Sequence, residues 1–105
     1  MTLQKLGINR KSLKEDTPTK AEVNSKALAV VLHKGKIYAI TAVCTHEMGP
    51  LDEGTIEGEE IVCPWHQGKY FLATGKADPE TNWVQDTPVY KIVEDKATGE
   101  LSADL

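Results

Sequence analysis

Leu28-Ala29-Val30-Val31-Leu32-His33-Lys34-Gly35-Lys36-Ile37-Tyr38-Ala39-Ile40-Thr41 is the stretch that decides the fold. Two runs of apolar and β-branched residues flank Lys34-Gly35, and glycine takes the positive φ that a tight turn demands, so the segment reads as a β-hairpin. Outward from it the same grammar repeats in shorter pieces. Strands are expected around Glu60-Ile61-Val62, from Lys69 to Leu72, over Val89 to Val93 and over Glu100 to Ser102, with turns at Thr74-Gly75 and Asp95 to Gly99. The sole helical candidate is a short segment from Asp16 to Asn24, and Pro18 limits its length. The expected architecture is a small all-β domain, a barrel or a sandwich, occupying residues 1–105 as one unit.

Composition narrows the function. Apolar residues make up 40% and charged residues 27% of the 105, the balance of a folded soluble chain rather than a disordered one. The longest unbroken apolar run, Ala27 to Leu32, falls far short of the roughly 20 residues a membrane helix needs. The first residues, MTLQKLGINRK, lack the apolar core of a signal peptide, so a cytoplasmic location is expected. The net charge of −4 argues against nucleic acid and anionic membranes as partners. That charge is unevenly spread: +5 over residues 1–42, −6 over 43–63 and −3 over the remainder.

Two segments interrupt the strand pattern. They are Cys44-Thr45-His46-Glu47-Met48-Gly49-Pro50-Leu51 and Cys63-Pro64-Trp65-His66-Gln67-Gly68. Each cysteine is followed by a histidine two or three places on. Two thiolates and two imidazoles suit tetrahedral zinc or an iron–sulfur centre; two buried cysteines with unrelated histidines are the remaining reading. The generic zinc site groups cysteine with cysteine and histidine with histidine, whereas here each loop supplies one of each.

That C-x-H and C-x2-H arrangement resembles the Rieske proteins, most densely across residues 42–75. The resemblance implies one [2Fe–2S] cluster, with Cys44 and Cys63 on one iron and His46 and His66 on the other. It implies a small antiparallel β domain holding the cluster by two loops at one tip. Replacing two thiolates by neutral imidazoles leaves the oxidised centre uncharged, so it accepts an electron more readily than a four-cysteine cluster. Around the ligands, Gly49 and Gly68 are expected to let backbone N–H groups approach the sulfurs, and Pro50 and Pro64 to shape the loops. Trp65 is expected either to shield the cluster or to form a docking surface. Tyr70 stands where high-potential relatives carry a tyrosine bonded to a cysteine sulfur, while Gly68 replaces their serine. Met48 and Gln67 depart from the family pattern, which favours a small residue at the first place and glycine at the second.

The 105 residues hold no third cysteine for the disulfide of the cytochrome bc members, and neither their membrane anchor nor an oxygenase's catalytic domain is expected. What remains resembles the soluble Rieske ferredoxins, which carry single electrons from a flavin-dependent reductase to a terminal oxygenase and are not themselves enzymes. The alternatives are the small Rieske-type subunit of a nitrite reductase and a zinc-stabilised interaction module on the same four residues. The acidic run of Glu47, Asp52, Glu53, Glu57, Glu59 and Glu60 is expected to steer transient partners or simply to be solvated. His33 reads as a solvated surface residue beside its turn, and Trp83 and Tyr90 as packing residues in strands.

Overall fold

The computed structural model describes residues 3–43, 49–65, 67–81 and 83–104. Strands β1 (Leu3–Asn9), β2 (Thr19–Val23), β3 (Lys26–His33), β4 (Lys36–Thr41), β8 (Val89–Glu94) and β9 (Glu100–Asp104) form a six-stranded sheet, ordered β1-β9-β8-β4-β3-β2. Strands β5 (Thr55–Glu57), β6 (Glu60–Val62) and β7 (Lys69–Phe71) form a second sheet in sequence order. Every pairing of named strands is antiparallel. The edge strands β1 and β2 lie against each other, so the larger sheet curls toward a barrel.

The hairpin 28–41 forms as its sequence predicts. Leu28 faces Thr41 and His33 faces Lys36, leaving Lys34 and Gly35 as a two-residue turn with φ of 51° and 79°. Positive φ at both positions gives the turn whose twist matches the strands it joins. Leu28, Ala29, Val30 and Val31 are all fully buried although successive side chains point to opposite faces. The strand is covered on both sides. Leu28 and Val30 pack with Leu6, Leu101 and Ala103 inside the curl, while Ala29 and Val31 pack with Leu51, Ile61 and Tyr70 beneath the smaller sheet. A continuous apolar run is what such a two-sided strand requires.

Residues 16–24, the one helical candidate in the sequence, form no helix. Thr19–Val23 is a strand, paired from Thr19 with Val30 to Val23 with Lys26. Its single buried residue, Ala21, is flanked by exposed neighbours, a two-residue period in place of a helical one. Asn24 and Ser25, with φ of 50° and 63°, close the β2–β3 hairpin. Strands β1 and β5 are two further elements beyond those expected from sequence.

Candidate metal centre

Cys63 directly follows β6 and opens the connection to β7. Its N–H donates to the Gly68 carbonyl at 2.8 Å, just inside the Val62–Lys69 pair, so residues 63–68 form a loop pinched at its base. The first motif segment is closed in the same way. Val43 bridges Pro50, and the Leu51 N–H donates to the Ala42 carbonyl at 2.7 Å, immediately before a 3-10 turn at Leu51–Glu53. Two pinched loops, each springing from the shared core, are thus held by backbone hydrogen bonds.

Gly49 is where they meet. A Cβ at Gly49 would lie 2.7 Å from the Cys63 sulfur and 3.1 Å from both Cβ and Cγ of Trp65. Only a residue without a side chain lets the first loop approach the second this closely. Cys63 is fully buried, and its sulfur accepts the Trp65 N–H at 3.4 Å. A backbone donor aimed at the sulfur complements the negative charge that a metal-bound thiolate carries.

Of the predicted ligands, Cys63 is thereby placed; Cys44, His46 and His66 lie outside the described residues, as do Glu47 and Met48. Trp65 is 49% exposed, so it presents a surface as well as a wall. Gly68 is a close-packing position: a Cβ there would meet Val84 Cγ1 at 2.5 Å. Gln67 adopts φ of 56°, the left-handed region that glycine enters freely, which accounts for the glycine usual there in the resembled family. Tyr70, on β7 opposite Ile61, is 0% exposed and shares its core with Cys63. Its hydroxyl is therefore withdrawn from bulk water, where a phenol needs a protein partner.

Trp83 is not in a strand. It lies in a turn following Thr81 and is exposed, while the adjacent Val84 packs onto Gly68. Tyr90 is in β8, as expected, with the Lys26 ammonium 5.6 Å from its ring centre.

His33 is the clearest correction. It is only 5% exposed, with Nδ1 2.5 Å from Asp16 Oδ1 and Nε2 2.7 Å from Glu59 Oε2. The hydrogen bond to Asp16, against the opposing effect of burial and with further help from Glu59, raises its pKa above the ordinary histidine value. The turn beside it is exposed, but the ring folds inward because carboxylates 17 and 26 residues away converge on it.

The acidic run is also less uniform than its sequence suggests. Glu59 binds His33 and Lys34, and Glu57 lies 3.6 Å from Lys69. Burial, followed by the hydrogen bond to Asp78, pushes the Glu60 carboxyl up to about 7, and its Oε2 has no hydrogen-bond partner among the described residues. Asp78, which receives that hydrogen bond, is held below the usual carboxylate range. Asp52, half-buried, and Glu53, exposed, lie on the 3-10 turn directly after the first loop and make no ion pair among the described residues.

Comparison with known proteins agrees with this geometry. The family model described as the Rieske [2Fe-2S] domain matches residues 6–91. The ferredoxin component of the naphthalene 1,2-dioxygenase/salicylate 5-hydroxylase systems of Ralstonia sp is 41% identical over 70 residues, covering 65% of this chain and 67% of that relative. The ferredoxin of carbazole 1,9a-dioxygenase from Nocardioides aromaticivorans IC177 superposes with a TM-score of 0.85 at 29% identity, over 98% of this chain and 97% of that one. A chain from a complex of reduced oxygenase and oxidized ferredoxin in carbazole 1,9a-dioxygenase gives 0.82 at 25% identity, over 96% and 91%. Matched over most of its length and folded alike, with Cys63 buried beneath two converging loops, the chain belongs to the Rieske [2Fe–2S] domain family.

Proposed function

We propose that this chain is the ferredoxin of an oxygenase system: a one-electron carrier, not itself a catalyst, that is reduced by a flavin-dependent reductase and reduces a terminal oxygenase. Residues 1–105 act as one domain, in the cytoplasm, and Cys44, His46, Cys63 and His66 hold the cluster. None of the helices described is long and apolar enough to cross a membrane. The relatives named above are ferredoxin components of dioxygenase systems, and one structural neighbour comes from a complex with its oxygenase.

The observation that carries the proposal is the contact at Gly49, where a loop bearing one Cys-x-His pair seats against the cysteine of the other. The described residues fit a thiolate-bound cluster. The sulfur of Cys63 is buried, a backbone N–H points at it, and Gly49 brings the first loop's backbone against it with no side chain between. When bound, the cluster supplies a one-electron couple of intermediate potential. The chain's own part is to stabilise negative charge on the sulfur through the Trp65 N–H, to exclude water on the Tyr70 side, and to present a half-exposed Trp65 with Asp52 and Glu53 on the first loop's turn. Carriers need fast encounter and fast release, which favours charge steering over a large apolar interface. The partner surfaces are accordingly expected to be rich in Lys and Arg.

The test is reconstitution. The brown holoprotein, mixed with a flavin reductase and oxygenase of a naphthalene-type system, should couple NADH oxidation to substrate hydroxylation. Cys63→Ser should lose both the visible spectrum and the coupling. A colourless, zinc-loaded protein would overturn the proposal.

A further inference from the structure

His33 stands at the junction of the two sheets. On one side, Asp16 is fixed to the larger sheet: its N–H donates to the Leu32 carbonyl at 2.8 Å, and Glu15 bridges Leu32. On the other side, Glu59 sits in the turn between β5 and β6, and β6 runs straight into Cys63. The ring spans them, with a carboxylate at each nitrogen. Only the imidazolium can donate from both nitrogens at once; the neutral ring must leave one carboxylate without a donor. Glu59 keeps an exposed tether to the Lys34 ammonium at 3.3 Å, and its carbonyl accepts the Leu72 N–H within its own sheet. Glu15, Asp16 and His33 offer donor atoms within 4.8 Å of one another, but Glu15 already accepts the Lys34 N–H at 2.6 Å and both ring nitrogens face carboxylates. The group is built for hydrogen bonding and not for a cation.

We propose that His33 is a protonation-dependent latch, a positioning residue that fixes the β5–β6 hairpin, and with it the strand leading to Cys63, against the six-stranded sheet. The charged and titratable groups facing it are Asp16 and Glu15 from the segment before β2, Lys34 from the β3–β4 turn and Glu59 from the β5–β6 turn. The two carboxylates raise the pKa of His33, so the latch stays closed to a higher pH than an ordinary histidine would allow. It opens as rising pH deprotonates the ring, and among the described residues the hairpin then keeps the Lys34 tether and its apolar face.

Hydrogen–deuterium exchange of the holoprotein tests this, read as protection factors for residues 55–62 from about pH 6 to about pH 9, corrected for intrinsic exchange. Because Glu60 lies in the same hairpin and titrates at about 7, the series is run in wild type and in Glu60→Gln. Protection should fall by about threefold to tenfold with rising pH in both, the loss of one charge-assisted hydrogen bond at a part-exposed site. Glu59→Ala, a change at an exposed side chain, should start at the low value and stay flat, as should His33→Gln. Protection that is flat in wild type, that loses its pH profile in Glu60→Gln, or that keeps it in Glu59→Ala would overturn the latch.

Discussion

Replacing Gly49 by alanine inserts one methyl group at the junction of the two loops. The new Cβ would sit 2.7 Å from the Cys63 sulfur, about 1 Å inside ordinary carbon–sulfur contact, and 3.1 Å from Trp65 Cβ and Cγ. Neither neighbour yields easily. The sulfur is fully buried and takes the Trp65 N–H, and Trp65 Cβ is fixed by its backbone, so no rotamer change moves it away. Overpacking of this kind costs about 1–3 kcal/mol. Relief requires the two loops to part, which stretches the ligand set they share. If the whole cost appears in the barrier to cluster release, bleaching should accelerate by about fivefold to a hundredfold. The assay is the decay of visible absorbance at fixed temperature, with Glu53→Ala on the exposed face of the neighbouring turn as control. Bleaching in Gly49→Ala that matches wild type would refute the claim that the loops meet at this residue.

Three further outcomes follow from other residues. Tyr70→Phe should lower the reduction potential by roughly 40 mV, the equivalent of ~1 kcal/mol in a one-electron couple, if the buried hydroxyl stabilises the reduced centre; protein-film voltammetry reads this directly. Glu60 has a folded pKa above its ordinary value, so the folded state binds the extra proton and stability should decline from about pH 4.5 to about pH 7, then level off; Glu60→Gln should remove that decline in thermal melts. Reversing Asp52 and Glu53 to lysine should slow association with the oxygenase in stopped-flow mixing without altering the visible spectrum. The wild-type rate should also fall as the Debye length shrinks from about 30 Å at 0.01 M salt to about 8 Å at 0.15 M.

Much of the fold is legible because its information is local. Lys34-Gly35 between two apolar runs states a hairpin within fourteen residues, and the double burial of β3 is visible as a run without alternation. The strand β2 is hidden because its five residues carry a single buried side chain directly after Pro18, and because its turn is made by Asn24-Ser25 rather than by glycine. At the site, the Cys-x-His spacing is a statement about chemistry that needs no fold. The approach of Gly49 to Cys63 and Trp65 is different, since it depends on where two loops fourteen residues apart are pinned. His33 shows the same limit more sharply. Its neighbours in sequence are a turn, while its neighbours in space are two carboxylates from separate elements. The acidic run is half legible for the complementary reason: Glu57, Glu59 and Glu60 divide among Lys69, Lys34, His33 and a carboxyl pair, while Asp52 and Glu53 make no ion pair among the described residues.

The central claim is the ligand set, two thiolates on one iron and two imidazoles on the other. Pulsed electron paramagnetic resonance of the reduced protein, with histidine labelled by nitrogen-15, addresses it most directly. Couplings from two histidine nitrogens are predicted, one of them lost in His46→Cys and the other in His66→Cys. A reduced cluster with no histidine coupling, or with one that survives both replacements, would contradict it.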